Sequence, residues 1–194
     1  MKKILFICLL VLLTPGCIIQ SIHPFYTEGT KVELNEINGE WISIIQLGDK
    51  VENKGICPWS FKNKAIITYD DKNIKSKLEC TYFKVGDKLF VDTTAGEPEV
   101  EINLCWAAGI TLVHTLCKVN LDNNTLELIP INAEWFDNRI EEKMLDMSYV
   151  KVGMDNYLFT ITSKEWVKFL EKHADNPELF NKNYSYIFKR KLGH

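Results

Sequence analysis

Along most of this chain, apolar and polar residues alternate in short runs separated by turn residues, the pattern of antiparallel strands. Gly39 to Ile45 reads as a first strand, with Trp41 early in it and a turn at Gly48-Asp49. Trp59 to Phe61 and Ala65 to Tyr69 are short strands, the second ended by Asp70-Asp71. Lys77 to Lys84 sets Leu78, Cys80 and Tyr82 on one face and Lys77, Glu79 and Thr81 on the other. Gly86-Asp87 then offers a glycine-first two-residue turn of type II′, and Leu89 to Thr94 returns as its partner. Glu97-Pro98 breaks that strand, and Glu101 to Leu104 and Ile110 to Leu121 are further candidates. In the latter, Val113, Cys117, Val119 and Leu121 share a face, Asp122-Asn123-Asn124 turns, and Leu126 to Ile131 pairs back. Tyr149 to Val152 and Tyr157 to Thr162 flank a turn at Met154-Asp155-Asn156, and Tyr184 to Lys189 alternates as a last strand.

The period changes from two to near four in two places. Asn132 is an N-cap residue type before Ala133 to Lys143, where Phe136, Ile140 and Met144 recur on one stripe. Thr162 and Glu165 have the spacing of a capping box, and Trp166, Phe169, Leu170 and His173 then follow as one stripe. Asn176-Pro177 can open a further short turn. Strands first and helices late imply an α+β domain: a curved antiparallel sheet or partly open β-barrel with two helices packed on it.

The first sixteen residues have a different pattern. Lys2 and Lys3 precede an apolar run from Ile4 to Leu13 that is too short for a membrane-crossing helix but fits a signal peptide. Leu13, Gly16 and Cys17 resemble the bacterial lipoprotein signal, which implies cleavage after Gly16 and acylation of Cys17; the alternatives are a plain secretory signal or an uncleaved apolar anchor. Acylation would fix the chain to a bacterial membrane, the outer membrane facing the periplasm if the cell is Gram-negative, because two or more acyl chains give stable attachment. The expected division is a signal peptide at 1–16, a lipid-anchored tether at 17–35 and one globular domain at 36–194. The tether is unusual in carrying Phe25 and Tyr26, which either dock on the domain or rest at the membrane interface.

Cys17, Ser21, His23-Pro24-Phe25-Tyr26-Thr27 and Ile37-Asn38-Gly39-Glu40-Trp41 together resemble a group of uncharacterised bacterial lipoproteins. Thr162 to Glu165, Phe169-Leu170, His173-Ala174 and Glu178 to Phe180 fit the final helix of that group. The resemblance implies architecture and location, not an activity. Gly39-x-Trp41 on a first strand also resembles the opening of the lipocalins and calycins, in which the tryptophan plugs one end of a barrel.

Composition narrows the function classes. The 194 residues are 46% hydrophobic and 25% charged with net charge −3, which suits one globular domain and excludes collagenous, coiled-coil, disordered and multi-span membrane classes. Losing residues 1–16 removes two lysines and no acid, so the remaining 178 residues carry −5, with no electrostatic case for nucleic acid or anionic lipid. Cys57, Cys80, Cys105 and Cys117 form an even set in an exported protein, so one or more disulfides are candidates, with the pairing open. The chain has no C-x-x-C motif, calcium loop, glycine-rich phosphate loop or G-x-S-x-G elbow, so no metal, cofactor or catalytic residue is expected. His114 reads as a satisfied or exposed strand histidine, and His173 as a helix-terminal cation favoured by the dipole. Glu97, Glu99 and Glu101, and Asp70-Asp71, read as solvated turns.

Aromatics make up 11% of the chain and are spread through the strands and helices. The expected function is therefore non-enzymatic binding of a lipid or other apolar molecule in a barrel lined by Trp41, Tyr82 and Val119. The alternative is a structural or protein-interaction component of the envelope with a filled core. An enclosed cavity around those three residues favours binding, and close packing around them favours the alternative.

Overall fold

The structure, a computed structural model, describes residues 19–47, 50–52, 58–62, 64–69, 75–96, 112–152 and 156–191. Its strands are β1 (Ile19–Ser21), β2 (Gly39–Leu47), β3 (Lys50–Glu52), β4 (Pro58–Lys62), β5 (Ala65–Tyr69), β6 (Lys75–Val85), β7 (Lys88–Ala95), β8 (Thr115–Asp122), β9 (Thr125–Pro130), β10 (Tyr149–Val152), β11 (Asn156–Phe159) and β12 (Tyr186–Arg190). Its helices are α1 (Ala133–Glu141) and α2 (Ser163–His173).

Strands β2 and β4 to β9 pair in antiparallel succession, and β12 lies between β9 and β2. That pairing closes the expected curved sheet into an eight-stranded, calycin-like barrel with no free edge at the seam. Register follows the hairpins. Val85 pairs with Lys88 across the two-residue turn, and Gly86 alone has a positive φ (61°), as a type II′ turn needs. Asp122 pairs with Thr125 at the next hairpin.

The alternation that defined the strands also sorts their side chains. Trp41, Phe61, Cys80, Tyr82, Val91, Val119, Leu126, Leu128 and Phe188 point inward and form one buried cluster. On β6 to β9 the outward residues Phe83, Val85, Phe90, Leu116 and Ile129 are also buried, because a second layer covers that wall. This layer contains α1, α2 and a three-stranded sheet in which β1 runs parallel to β11 and β10 runs antiparallel to it. Its core includes Phe25, Trp135, Phe136, Phe159, Trp166 and Leu170.

Both helices begin as expected. The Asn132 side chain accepts from Glu134 N, and Thr162 and Glu165 complete a reciprocal capping box. Several boundaries move, among them the start of β8 at Thr115 rather than Ile110 and the end of β11 at Phe159 rather than Thr162. β1 at Ile19–Ser21 and the turns that follow it precede the expected domain start near Glu36, so most of the expected tether belongs to the fold. α1 stops at Glu141, followed by Lys143 in the left-handed region (φ 56°). Residues Lys182–Tyr184 form a 3-10 turn rather than the start of the last strand. The candidate strand at Glu101 to Leu104 and the turn at Glu97-Pro98 lie outside the described residues.

Candidate functional site

Trp41, Tyr82 and Val119 come from three separate strands and meet in the same interior cluster, at 0, 1 and 4% exposure. Aromatic rings fill the space beside them. Trp41 meets Phe61 edge-on at 6.2 Å, Phe61 meets Phe188 at 5.3 Å, and Trp59 meets Phe188 at 5.0 Å. Such pairs add about 0.5–1.5 kcal/mol each beyond simple burial.

Trp41 is buried in the interior cluster near the start of β2. Its indole nitrogen donates to Ile37 O at 2.9 Å, in the 3-10 turn Asn35–Ile37 that precedes β2. The Arg190 guanidinium lies over the indole at 4.3 Å. It also donates to the carbonyls of Glu36, Asn38 and Asn123, joining the 3-10 turn to the β8–β9 hairpin. Gly39 explains the first letter of the Gly39-x-Trp41 motif. Its φ is +142°, and a Cβ there would stand 3.1 Å from Arg190 Nη1.

Two clefts flank the barrel. One of about 600 Å³ opens at the Arg190 end, where the inward-facing Leu89, Val119 and Leu121 line it with Leu34 and where Lys84 and Arg190 rim it, so Val119, one of the three expected lining residues, borders open space. One of about 210 Å³ lies at the opposite end, between Leu78, Thr93, Ala95, Leu112, Val113 and Thr115. Inside, the Tyr82 hydroxyl is buried beside the Cys80 thiol without a well-formed hydrogen bond, and burial raises its pKa. Burial pushes the Cys80 thiol up to about 11 and the Cys117 thiol up to about 12. Both are free thiols. Cys57 and Cys105, the other disulfide candidates, lie outside the described residues, as does Cys17.

The most connected polar group is one the sequence reading did not single out. Asp92 points outward from β7 yet is 2% exposed. Its carboxylate accepts from Phe25 N at 2.9 Å and holds His114 Nδ1 at 2.7 Å. His114 pairs through its backbone with Ser21, whose buried hydroxyl donates to His23 O and accepts from Trp166 Nε1 at 2.9 Å. The only sequence signal was an acid inside the apolar strand Leu89-Phe90-Val91-Asp92, where Asp is disfavoured.

Serine, histidine and aspartate are close here, but the arrangement is not a nucleophilic triad. Ser21 Oγ is engaged by His23 and Trp166, and no contact joins it to the His114 ring. The group instead clamps the segment after β1 onto the barrel wall. Phe25 is fully buried against Trp166 at 4.4 Å, and Tyr26 packs on Phe83 at 5.9 Å. The two aromatics therefore dock on the fold, and the membrane-interface placement is excluded for Phe25.

His173 also departs from expectation. Its ring packs on Phe169 at 4.7 Å and Trp135 at 5.5 Å. Burial first, then Lys172 and Arg139, lowers its pKa, which works against a dipole-bound cation at this helix end.

Among the described residues, no group of three or more His, Cys, Asp or Glu is placed to hold a metal, and no helix is long and apolar enough to cross a membrane. No family model, curated protein or solved structure matches the chain.

Proposed function

We propose that this chain is a lipid-anchored protein of a bacterial cell envelope that works without catalysis, as a filled barrel presenting its outer surface to a partner there. The observation that carries this reading is the aromatic packing around Trp41, Phe61, Tyr82 and Phe188. Eight-stranded barrels are about wide enough for side chains to fill, so a packed interior makes a scaffold. The address rests on Cys17 after the apolar leader, with acyl chains as the membrane contact.

The test has two parts. The N-terminal peptide of protein taken from the membrane fraction should begin at Cys17 and carry acyl mass. Cys17→Ala should move the protein out of that fraction, and unchanged membrane association would remove the anchor from this reading.

A second reading, an apolar ligand inside the barrel, is favoured by one observation. The buried Tyr82 hydroxyl lacks a well-formed partner, and such groups are normally satisfied by protein, water or ligand. Native mass spectrometry of the purified protein separates the two readings. A retained lipid lost in Tyr82→Phe would favour the ligand, and a bare protein mass would favour the scaffold.

A further inference from the structure

The large apolar side chains Met144, Tyr149, Val150 and Val152 stand open to solvent at 36 to 63% exposure, all within one short stretch ending in β10. β10 is the outer strand of the three-stranded sheet, and all four of its residues are exposed. An exposed apolar edge is a liability in water unless something covers it.

The register shows which end of this sheet the edge shares. Ile19 of β1 pairs with Tyr157 of β11, which pairs with Lys151 of β10. The next row outward carries Asn156 and Val152, and the N-terminal end of β1 faces that row. Cys17 precedes Ile19 by two residues, so their Cα atoms are within about 7 Å of each other. With strands about 4.8 Å apart, β10 lies only about 10 Å to the side of β1. An anchor at Cys17 therefore has no slack that would let the sheet stand away from the surface holding it.

We propose that the β10 edge, Tyr149 to Val152 with Met144, rests in the interfacial zone of the bilayer that holds the acyl chains of Cys17. This rests on the anchored reading above and adds an orientation to it. The contact is apolar rather than electrostatic, since the chain from Cys17 onward carries net charge −5. The side chains suit such a zone. Val150 and Val152 offer aliphatic surface, and Tyr149 packs on Tyr157 at 5.5 Å. Lys151, with its ammonium 5.6 Å from the Tyr157 ring, can keep its charge at headgroup level.

The test uses full-length protein made in bacteria with its own leader, purified from membranes and placed in phosphatidylcholine vesicles. Its amide hydrogen exchange is compared with that of Cys17→Ala protein in buffer. Amides of residues 144–152 should exchange about tenfold more slowly on vesicles, while those of 182–190 stay unchanged. The double variant Val150→Asp, Val152→Asp changes only exposed positions. It should remain vesicle-bound through Cys17 and lose the added protection. Equal exchange at 144–152 in the bound and free proteins overturns the proposal while leaving the anchor intact. So does protection that follows protein concentration without vesicles, which would mean the edge pairs with a second copy. Cys17→Ala protein that stays in the membrane fraction would instead overturn the anchor, and this orientation with it.

Discussion

The barrel interior and the layer outside it are built from the same kinds of side chain in opposite ways. Inside, Phe61, Cys80, Tyr82, Val91, Val119 and Leu126 come from strands that pair in the order in which they follow along the chain, and β12, which pairs with both β9 and β2, alone joins distant sequence. Outside, Ile19, Phe25, Phe136, Phe159, Trp166 and Leu179 come from segments scattered over the whole chain. They meet only because Phe83, Phe90, Leu116 and Ile129 give them a wall to pack on. The barrel is thus closed on itself, whereas the outer layer depends on the barrel. Losses in the outer layer should stay there, and losses inside should reach both.

The largest effects test that asymmetry directly. Phe61→Ala and Trp166→Ala each empty a fully buried aromatic site and should each cost about 3–5 kcal/mol. Their hydrogen-exchange maps should differ. Phe61→Ala should lower protection in both layers. Trp166→Ala should lower it in β1, β11 and α2 while the barrel strands β6 to β9 keep theirs. Equal loss across the barrel in Trp166→Ala would mean that the two layers fold as one unit.

A smaller effect concerns the polar group that joins the layers. Asp92→Ala removes the acceptor for Phe25 N and His114 Nδ1 and leaves a buried backbone N–H unpaired, at a cost of about 2 kcal/mol. The loss should appear as lower protection of residues 21–25 with the barrel amides unchanged, read by the same exchange experiment. Asp92→Asn keeps one acceptor oxygen and should recover part of it. If Asp92→Ala left that segment as protected as before, the clamp would reside in the Phe25–Trp166 contact alone.

The barrel was largely legible in the sequence because its information is local. Alternation in Lys77 to Lys84 and Leu89 to Thr94, with glycine first in the turn between them, specifies a hairpin whose partners lie within reach. The shared interior of Trp41, Tyr82 and Val119 follows from counting alternate residues once the strands are known. The outer layer was less legible for the opposite reason. Three residues, Ile19–Ser21, are too few to show a period, and their parallel partner stands more than a hundred positions away. The role of Asp92 could not be read from a single acid in a strand, because it exists only once Phe25 and His114 arrive from elsewhere. His173 misled because its stripe position indicated a helix end but not the rings of Trp135 and Phe169 beside it.

The smallest effect gives the cleanest separation of the layers. Thr162→Ala removes the hydroxyl that caps Glu165 N and leaves the Glu165 carboxylate only the backbone N–H of residue 162 to accept from. The expected cost is about 1 kcal/mol, confined to α2. The two interior thiols report whether it is confined. With pKa values pushed up to about 11 and about 12, Cys80 and Cys117 are almost wholly protonated at mildly alkaline pH; Cys80 is buried and is reached only when the barrel opens, and Cys117 is half-buried. Alkylation with iodoacetamide, read site by site by peptide mass spectrometry, should be as slow at Cys80 and Cys117 in Thr162→Ala as in the wild-type protein. It should be clearly faster in Phe61→Ala. Faster labelling of either thiol in Thr162→Ala would show that strain at the start of α2 reaches the barrel interior, and the independence of the barrel from its outer layer would fail at its weakest perturbation.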